Sequence, residues 1–266
     1  MTSLTAHIEG IGLLGPGLPD WPAAAAVLLG QEGYRYRDTA LPAPAALPPA
    51  ERRRCGAIVK LSLAVGLEAA HAAGADPAAL PTVFSASGGD GANCHEICQM
   101  LASSDRLISP TRFHNSVHNS ASGYWSIATG AMAPSSVLCA YDASFGAGLL
   151  EAAAQAAVER CRVLLIAGDT TYPEPLRRSR PIPTEFGVAL VLAPEAGPRT
   201  IARISVALTQ AGAERLEDPA LEQVRAAIPA ARSLPLLRAL ARRESGAVVL
   251  DYLDGNRLAV EVAPCP

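Results

Sequence analysis

The sequence predicts a layered α/β domain: a five-stranded mixed sheet with helices on both faces, followed by a short α+β extension. Three observations predict it. Strand-like and helix-like stretches alternate as β-α-β-α-β-α-β-β over residues 4–193. The stretch 144–158 is apolar nearly all round (Ala147, Leu149, Leu150, Ala152, Ala153, Ala156, Ala157), which marks a helix covered on every side. The last two strands of the run follow one another without an intervening helix, which breaks the all-parallel Rossmann pattern.

Each element has its own signal. Residues 4–13 are rich in Ile, Leu and Gly and read as a first strand, and 21–29 as a short apolar helix. The proline-rich stretch 38–50 cannot hold helix hydrogen bonds. Apolar residues recur at helical spacing over 55–73 (Ile58, Leu61, Val65, Leu67, Ala69). A short strand at 81–87 runs into Gly88-Gly89-Asp90-Gly91, then a helix covers 93–102 and a polar loop 105–118. Asn119 or Ser120 caps a helix reaching Gly130. Strands follow at 135–141, 162–168 and 187–193, with the apolar helix after the first of them. The tail, 199–266, reads as a strand, a polar helix and a strand pair around Asp254-Gly255-Asn256. We divide the chain into residues 1–195 and a C-terminal extension, 196–266, packed on them. Something must cover the apolar helix, either the tail or a partner.

Composition excludes several classes. The chain has 266 residues, half of them hydrophobic and 18% charged, with a formal net charge of −3. That gives no basic excess for nucleic acid. The run Glu51-Arg52-Arg53-Arg54 reads first as a solvated helix start and second as a patch for an acidic carrier protein. The six cysteines are scattered, as reduced thiols of a cytoplasmic protein are, and Cys139 and Cys161 sit in apolar surroundings that predict core positions. The first residues lack a basic stretch followed by an apolar run, and no apolar segment reaches the ~20 residues of a membrane span. Gly10, Gly12, Gly15 and Gly17 are wrongly spaced for a dinucleotide fingerprint. No cofactor is expected.

A series of short motifs carries the functional reading. Ile108-Ser109-Pro110, Asn119 with Gly123, Gly130 with Pro134-Ser135, Gly168-Asp169 and Phe186-Gly187-Val188-Ala189 can be laid without a gap on the N-terminal half of β-ketoacyl synthases. The chain resembles that family over roughly residues 1–195, which implies a thiolase-like half-domain. The family reads Thr-Ala-Cys-x-Ser-Gly at its nucleophile turn. Here the aligned stretch is Ala140-Tyr141-Asp142-Ala143-Ser144-Phe145-Gly146, so Asp142 stands where the attacking cysteine would be. A carboxylate there is favoured by the helix N-terminus but is a poor acyl acceptor. The family's two C-terminal histidines are also missing, because all five histidines lie at or before His118.

A ketosynthase-like chain without nucleophile or histidines resembles the chain length factors of polyketide systems. The segments Phe113-His114-Asn115-Ser116-Val117-His118-Asn119 and Gly123-Tyr124-Trp125-Ser126 are similar to short subunits of bacterial aryl polyene clusters. The resemblance implies a non-catalytic subunit, paired with an active β-ketoacyl synthase and meeting acyl carrier protein through that complex. It implies an edge strand at Ser135, Val137, Cys139 and Tyr141 that pairs with the partner, with Tyr124 and Trp125 at the seam. It places Thr111, Arg112 and Phe113 against the partner's acyl pocket as chain-length determinants. His114, His118 and Asn119 are expected to shape the loop, the imidazoles by hydrogen-bonding its backbone. The spacing of His114 and His118, and of Cys94, His95 and Cys98, also suits zinc, but no carboxylate completes a motif and no metal is expected. The rival reading is an acyl hydrolase or transferase using Ser144 with His114 or His118. Against it, Gly-x-Ser-x-Gly is not matched.

Overall fold

The structure, a computed structural model, describes residues 3–265. It begins with β1 (Leu4–Leu14) and α1 (Trp21–Leu28), the latter capped by Asp20, whose carboxylate accepts Ala23 N–H at 2.8 Å. After the proline-rich loop come α2 (Pro49–Arg54), α3 (Ala57–Ala72) and β2 (Thr82–Ser85). Then follow α4 (Gly91–Ala102), α5 (Pro110–His114), α6 (Ser120–Thr129) and β3 (Ser135–Leu138). A 3-10 turn, Tyr141–Ala143, leads into α7 (Ser144–Glu159). β4 (Val163–Asp169), α8 (Leu176–Ser179) and β5 (Phe186–Ala193) complete the first run. The tail holds β6 (Ala202–Thr209), α9 (Pro219–Ala227), a 3-10 turn Pro229–Ser233, α10 (Leu234–Arg242), and the hairpin β7 (Gly246–Asp251) and β8 (Arg257–Pro264).

The sheet has eight strands, not five, in the order β3-β2-β4-β5-β1-β6-β8-β7. The physical reason is β1. It pairs antiparallel with β5 on one side, and its other side takes β6, which carries β8 and β7 with it. A five-strand sheet would have left that edge of β1 open. The pairing is mixed: β2 is parallel to β3 and β4, and every other pair is antiparallel.

Two apolar layers cover the sheet. α3 and α6 lie on one face, over Phe84, Leu164, Ile166, Ala189 and Val191. α7 and the tail elements lie on the other, over Val83, Leu165, Val188, Leu190 and Leu192. The period-two alternation along β4 and β5 divides the two cores. The glycines of β1 set the spacing of α3. A Cβ at Gly10 would fall 2.2 Å from Ala69 O, and one at Gly12 would fall 2.1 Å from Val65 O. They serve close helix packing, not phosphate binding.

The tail covers α7. A Cβ at Gly146 would meet Asp251 O at 2.7 Å, so α7 runs directly under the start of the β7–β8 turn. The predicted polar loop at 105–118 contains one short helix, α5, and the arginine run closes its own helix, α2, with all three guanidinium groups exposed.

Candidate functional site

The site is built on the turn between β3 and α7. Tyr141 adopts a left-handed backbone, φ +53°, which is strained for a bulky residue and persists only where its surroundings hold it. Ser144 supplies much of that hold. Its Oγ accepts Ala140 N–H at 3.0 Å and lies 2.7 Å from Tyr141 O and 3.0 Å from Ala86 O, with one hydroxyl proton to donate. Ser85 Oγ donates to Ser144 O at 2.5 Å. Arg180 lies over the Tyr141 ring, 3.8 Å from its centroid, in a cation–π contact.

Asp142 is the second residue of the turn, and two arginines hold it. Arg180 Nη2 is 2.5 Å from Oδ1, and Arg232 Nη2 donates to Oδ2 at 2.9 Å. Burial works most strongly against Arg180's charge, but Asp142, Tyr141 and Asp169 together raise the guanidinium's pKa above its ordinary value. The network continues into the tail. Arg232 is 4.0 Å from Asp251, Arg225 donates to Asp251 at 2.7 Å, and Arg225 grips Glu222 with two hydrogen bonds of 2.7 Å. The hydrogen bond from Arg225 holds Glu222 below the usual carboxylate pKa. Three cations and three anions thus alternate from α8 through the turn to α9. Nearby, Asp169 at the end of β4 is buried and accepts Ser87 N–H at 2.8 Å and Ala230 N–H at 2.7 Å. Desolvation raises its pKa despite these bonds.

No thiol stands in the turn. Cys139, two residues before it, donates its Sγ proton to Ser87 O at 3.1 Å. Cys139 is exposed and Cys161 half-buried, which corrects the core positions expected for both. Cys161 still packs against the core, whereas Cys139 lies just past the end of β3.

With β7, β3 is one of the two edge strands of the sheet. Its inner edge is tied to β2, with Ser135 Oγ accepting from Thr82 Oγ1 at 2.7 Å and lying 2.8 Å from Ser122 Oγ. Val137 is half-buried, while Ser135, Cys139 and Tyr141 are exposed. Large apolar side chains surround this edge in sequence: Met132 is 95% exposed, and Ile127 and Val117 also face solvent. Tyr124 and Trp125 do not belong with them. They are 2% and 1% exposed, and Trp125 meets Phe84 edge-on with ring centroids 6.4 Å apart. Their side chains serve the core between α6 and α3, which corrects the seam position. Helical phase is the reason, since both fall on the α6 face that packs against α3.

α5 presents Phe113, 69% exposed. Arg112 turns toward α4, with Nη2 3.3 Å from Glu96, and its carbonyl accepts Asn93 Nδ2 at 2.8 Å. Thr111 contributes its carbonyl to Asn115 N–H at 3.1 Å. The hydrogen bonds that shape the loop come from Asn115, not from the imidazoles. Asn115 Nδ2 donates to Arg54 O at 2.8 Å, and Tyr124 OH donates to Asn115 Oδ1 at 3.1 Å. His114 sits edge-on to Tyr124 at 6.5 Å, His118 lines a cavity of about 20 Å³ with Phe84, Val137 and Ile166, and Asn119 begins α6 without a side-chain cap.

The Ser144 hydrolase reading fails on geometry. The side chain is buried and its Oγ is spent on three backbone groups, and no hydrogen bond joins it to His114 or His118 among the described residues. Among the described residues, no group of three or more His, Cys, Asp or Glu side chains is placed to hold a metal ion. Among the described residues, no helix is long and apolar enough to cross a membrane.

The sequence pattern of one family, described as beta-ketoacyl synthase, N-terminal domain, matches residues 29–252. The chain belongs to that family. A search of curated proteins finds no match. Among solved structures it is similar to a chain of the ketosynthase (ApeO) in complex with its chain length factor (ApeC) from Xenorhabdus doucetiae. The TM-score is 0.73 and the identity 23%, covering 97% of this chain and 99% of that one. It is also similar to a chain of the ishigamide ketosynthase/chain length factor (TM-score 0.71, 14% identity, 98% and 100% covered). A β-ketoacyl synthase from Burkholderia phymatum STM815 matches with TM-score 0.68 and 11% identity, covering 100% of both chains. The fold of this beta-ketoacyl synthase family member is therefore thiolase-like α/β.

Proposed function

We propose that this chain is a chain length factor-type subunit. It pairs with an active β-ketoacyl synthase and performs no condensation itself. The observation that carries the reading is the turn after β3. It keeps the strand–turn–helix form but offers a carboxylate, Asp142, already neutralised by Arg180 and Arg232. A condensing nucleophile must be a thiolate that accepts an acyl group and leaves it as a thioester. An arginine-paired carboxylate is too weak a nucleophile, and an acyl-aspartate would be an anhydride. In this reading residues 1–195 are the ketosynthase-like half and residues 196–266 brace it.

The partner meets the β3 edge. Ser135 and Val137 extend the sheet into the partner, Cys139 and Tyr141 flank them just past the end of β3, and Met132 adds apolar surface beside them. The neighbours that are ketosynthase–chain length factor complexes support this arrangement, and so does the open edge. Phe113, with Thr111 and Arg112 behind it, stands against the partner's acyl pocket and limits product length by overlap. The product class we assign is an aryl polyene or a related polyketide, with the growing chain delivered by an acyl carrier protein through the complex. The test is reconstitution with a cognate ketosynthase. Arg112→Ala and Phe113→Ala shift the product-length distribution without abolishing synthesis, and unchanged lengths with both would contradict the assignment of α5.

A further inference from the structure

We propose that Cys94 and Cys98 on α4 form a two-thiolate site for a soft monovalent metal ion, Cu(I), held in linear coordination between their sulfurs. The two residues stand four apart within the helix, so they share one face. Both are free thiols and both are exposed. Packing does not account for them. Cysteine is among the residue types most often buried, and its chemistry more than its packing decides its use. α4 buries only Gly91 and Asn93, so it lies on the surface with its two thiols turned to solvent.

The thiols are neighbours. After burial, Cys98 does most to raise the Cys94 pKa, through its charge and a hydrogen bond. A disulfide does not fit this pair. Cβ atoms four residues apart on a helix are about 5–6 Å apart, whereas a disulfide needs roughly 3.5–4.5 Å. A metal bridge does fit. Two metal–thiolate bonds of about 2.3 Å hold the sulfurs roughly 4.6 Å apart. Rotation about the side-chain bonds reaches that separation without moving the backbone.

The number of donors selects the ion. Structural zinc asks for four ligands, and among the described residues no third His, Cys, Asp or Glu completes a group around this pair. His95 stands about 100° round the helix from Cys94. Glu96 pairs with Arg112, and Asp90 caps the helix. Two thiolates alone suit a soft ion that is satisfied by two sulfurs. Binding forms two Cu–S bonds, breaks two S–H bonds and releases two protons to solvent. Copper enters and stays as Cu(I), so no electron is transferred.

The test is an anaerobic titration of the reduced full chain with Cu(I) against a chromogenic Cu(I) chelator, with X-ray absorption to count the ligands. One equivalent binds, with two sulfur neighbours. Cys94→Ser and Cys98→Ser each weaken binding by about 100-fold or more, the scale of a lost second attachment point. Cys139→Ser, which removes another exposed thiol, leaves it unchanged. Cys98→Ser combined with Gln99→Cys keeps the thiol count but moves one thiol off the shared face, and it binds as weakly as Cys98→Ser alone. Melting curves verify that each variant is folded. Zn(II) is not retained through gel filtration, whereas Cu(I) is. Full Cu(I) affinity in either serine variant or in the displaced pair, three or more ligands on the copper, or retention of Zn(II) would each overturn the proposal.

Discussion

Asp142 shows how one side chain changes what a turn can do. Its carboxylate sits about one-third exposed between two arginines, so removing it leaves two half-buried cations facing each other. Asp142→Ala is expected to lower stability by about 1.5–3 kcal/mol, the usual range for hydrogen bonds to charged groups, with partial exposure favouring the lower end. Urea denaturation measures it, and millimolar formate should return part of the loss by refilling the space between the guanidinium groups. Asp142→Cys restores the family's sulfur but not its histidines, so the variant should show no condensing activity alone.

Asp169 gives the pH dependence its sign. Its pKa is raised in the folded chain, so the folded state binds the extra proton above the ordinary value of 3.8. The contribution is fully present below that pH and is lost as pH rises through the elevated folded pKa. Asp169→Asn should flatten this decline, seen as a shallower slope of unfolding free energy against pH. It should also reduce stability at every pH, because one of two N–H donors then faces an NH2 group.

Among the elements, β1 and β3 carry opposite burdens. β1 is central and must let α3 approach, so Gly12→Ala places a methyl group 2.1 Å from Val65 O. Overpacking of this kind typically costs about 1–3 kcal/mol, and contact with backbone puts this variant at the upper end, measurable by thermal melting. β3 is one of the sheet's two edges, and Met132 just before it is 95% exposed. Met132→Asp should leave the chain's own melting temperature unchanged and weaken ketosynthase association by about tenfold or more, the scale of one lost anchor.

The elements were legible in the sequence where period and punctuation agreed. The apolar helix now seen as α7, the strand after Arg162 and the hairpin at Asp254-Gly255-Asn256 each appear within a few residues of their predicted limits. Strand number was not legible, because pairing of β6 with β1 depends on which edge the rest of the fold leaves free. Trp125 was misplaced because an aromatic beside a proposed seam carries no mark of the face it occupies. The ion network was invisible for a different reason. Arg180, Arg232 and Asp251 lie far from Asp142 in sequence, and only the finished fold brings them together. That the turn carries Asp142 and no cysteine, by contrast, is read directly from the sequence.

For the whole molecule, the tail has the role of a brace. It extends the sheet, covers α7 and supplies Arg232, Asp251 and Arg225 to the charge network. One face of the fold is thereby closed from within, while β3 and β7 remain as the sheet's two edges. In the proposed role this chain assists condensation without performing it. The most direct test is malonyl-dependent condensation measured while the chain is titrated into a cognate ketosynthase. No turnover is expected from the chain alone, with activity rising to a plateau at one copy of each. Turnover by the isolated chain, or ketosynthase activity indifferent to its presence, would contradict that role.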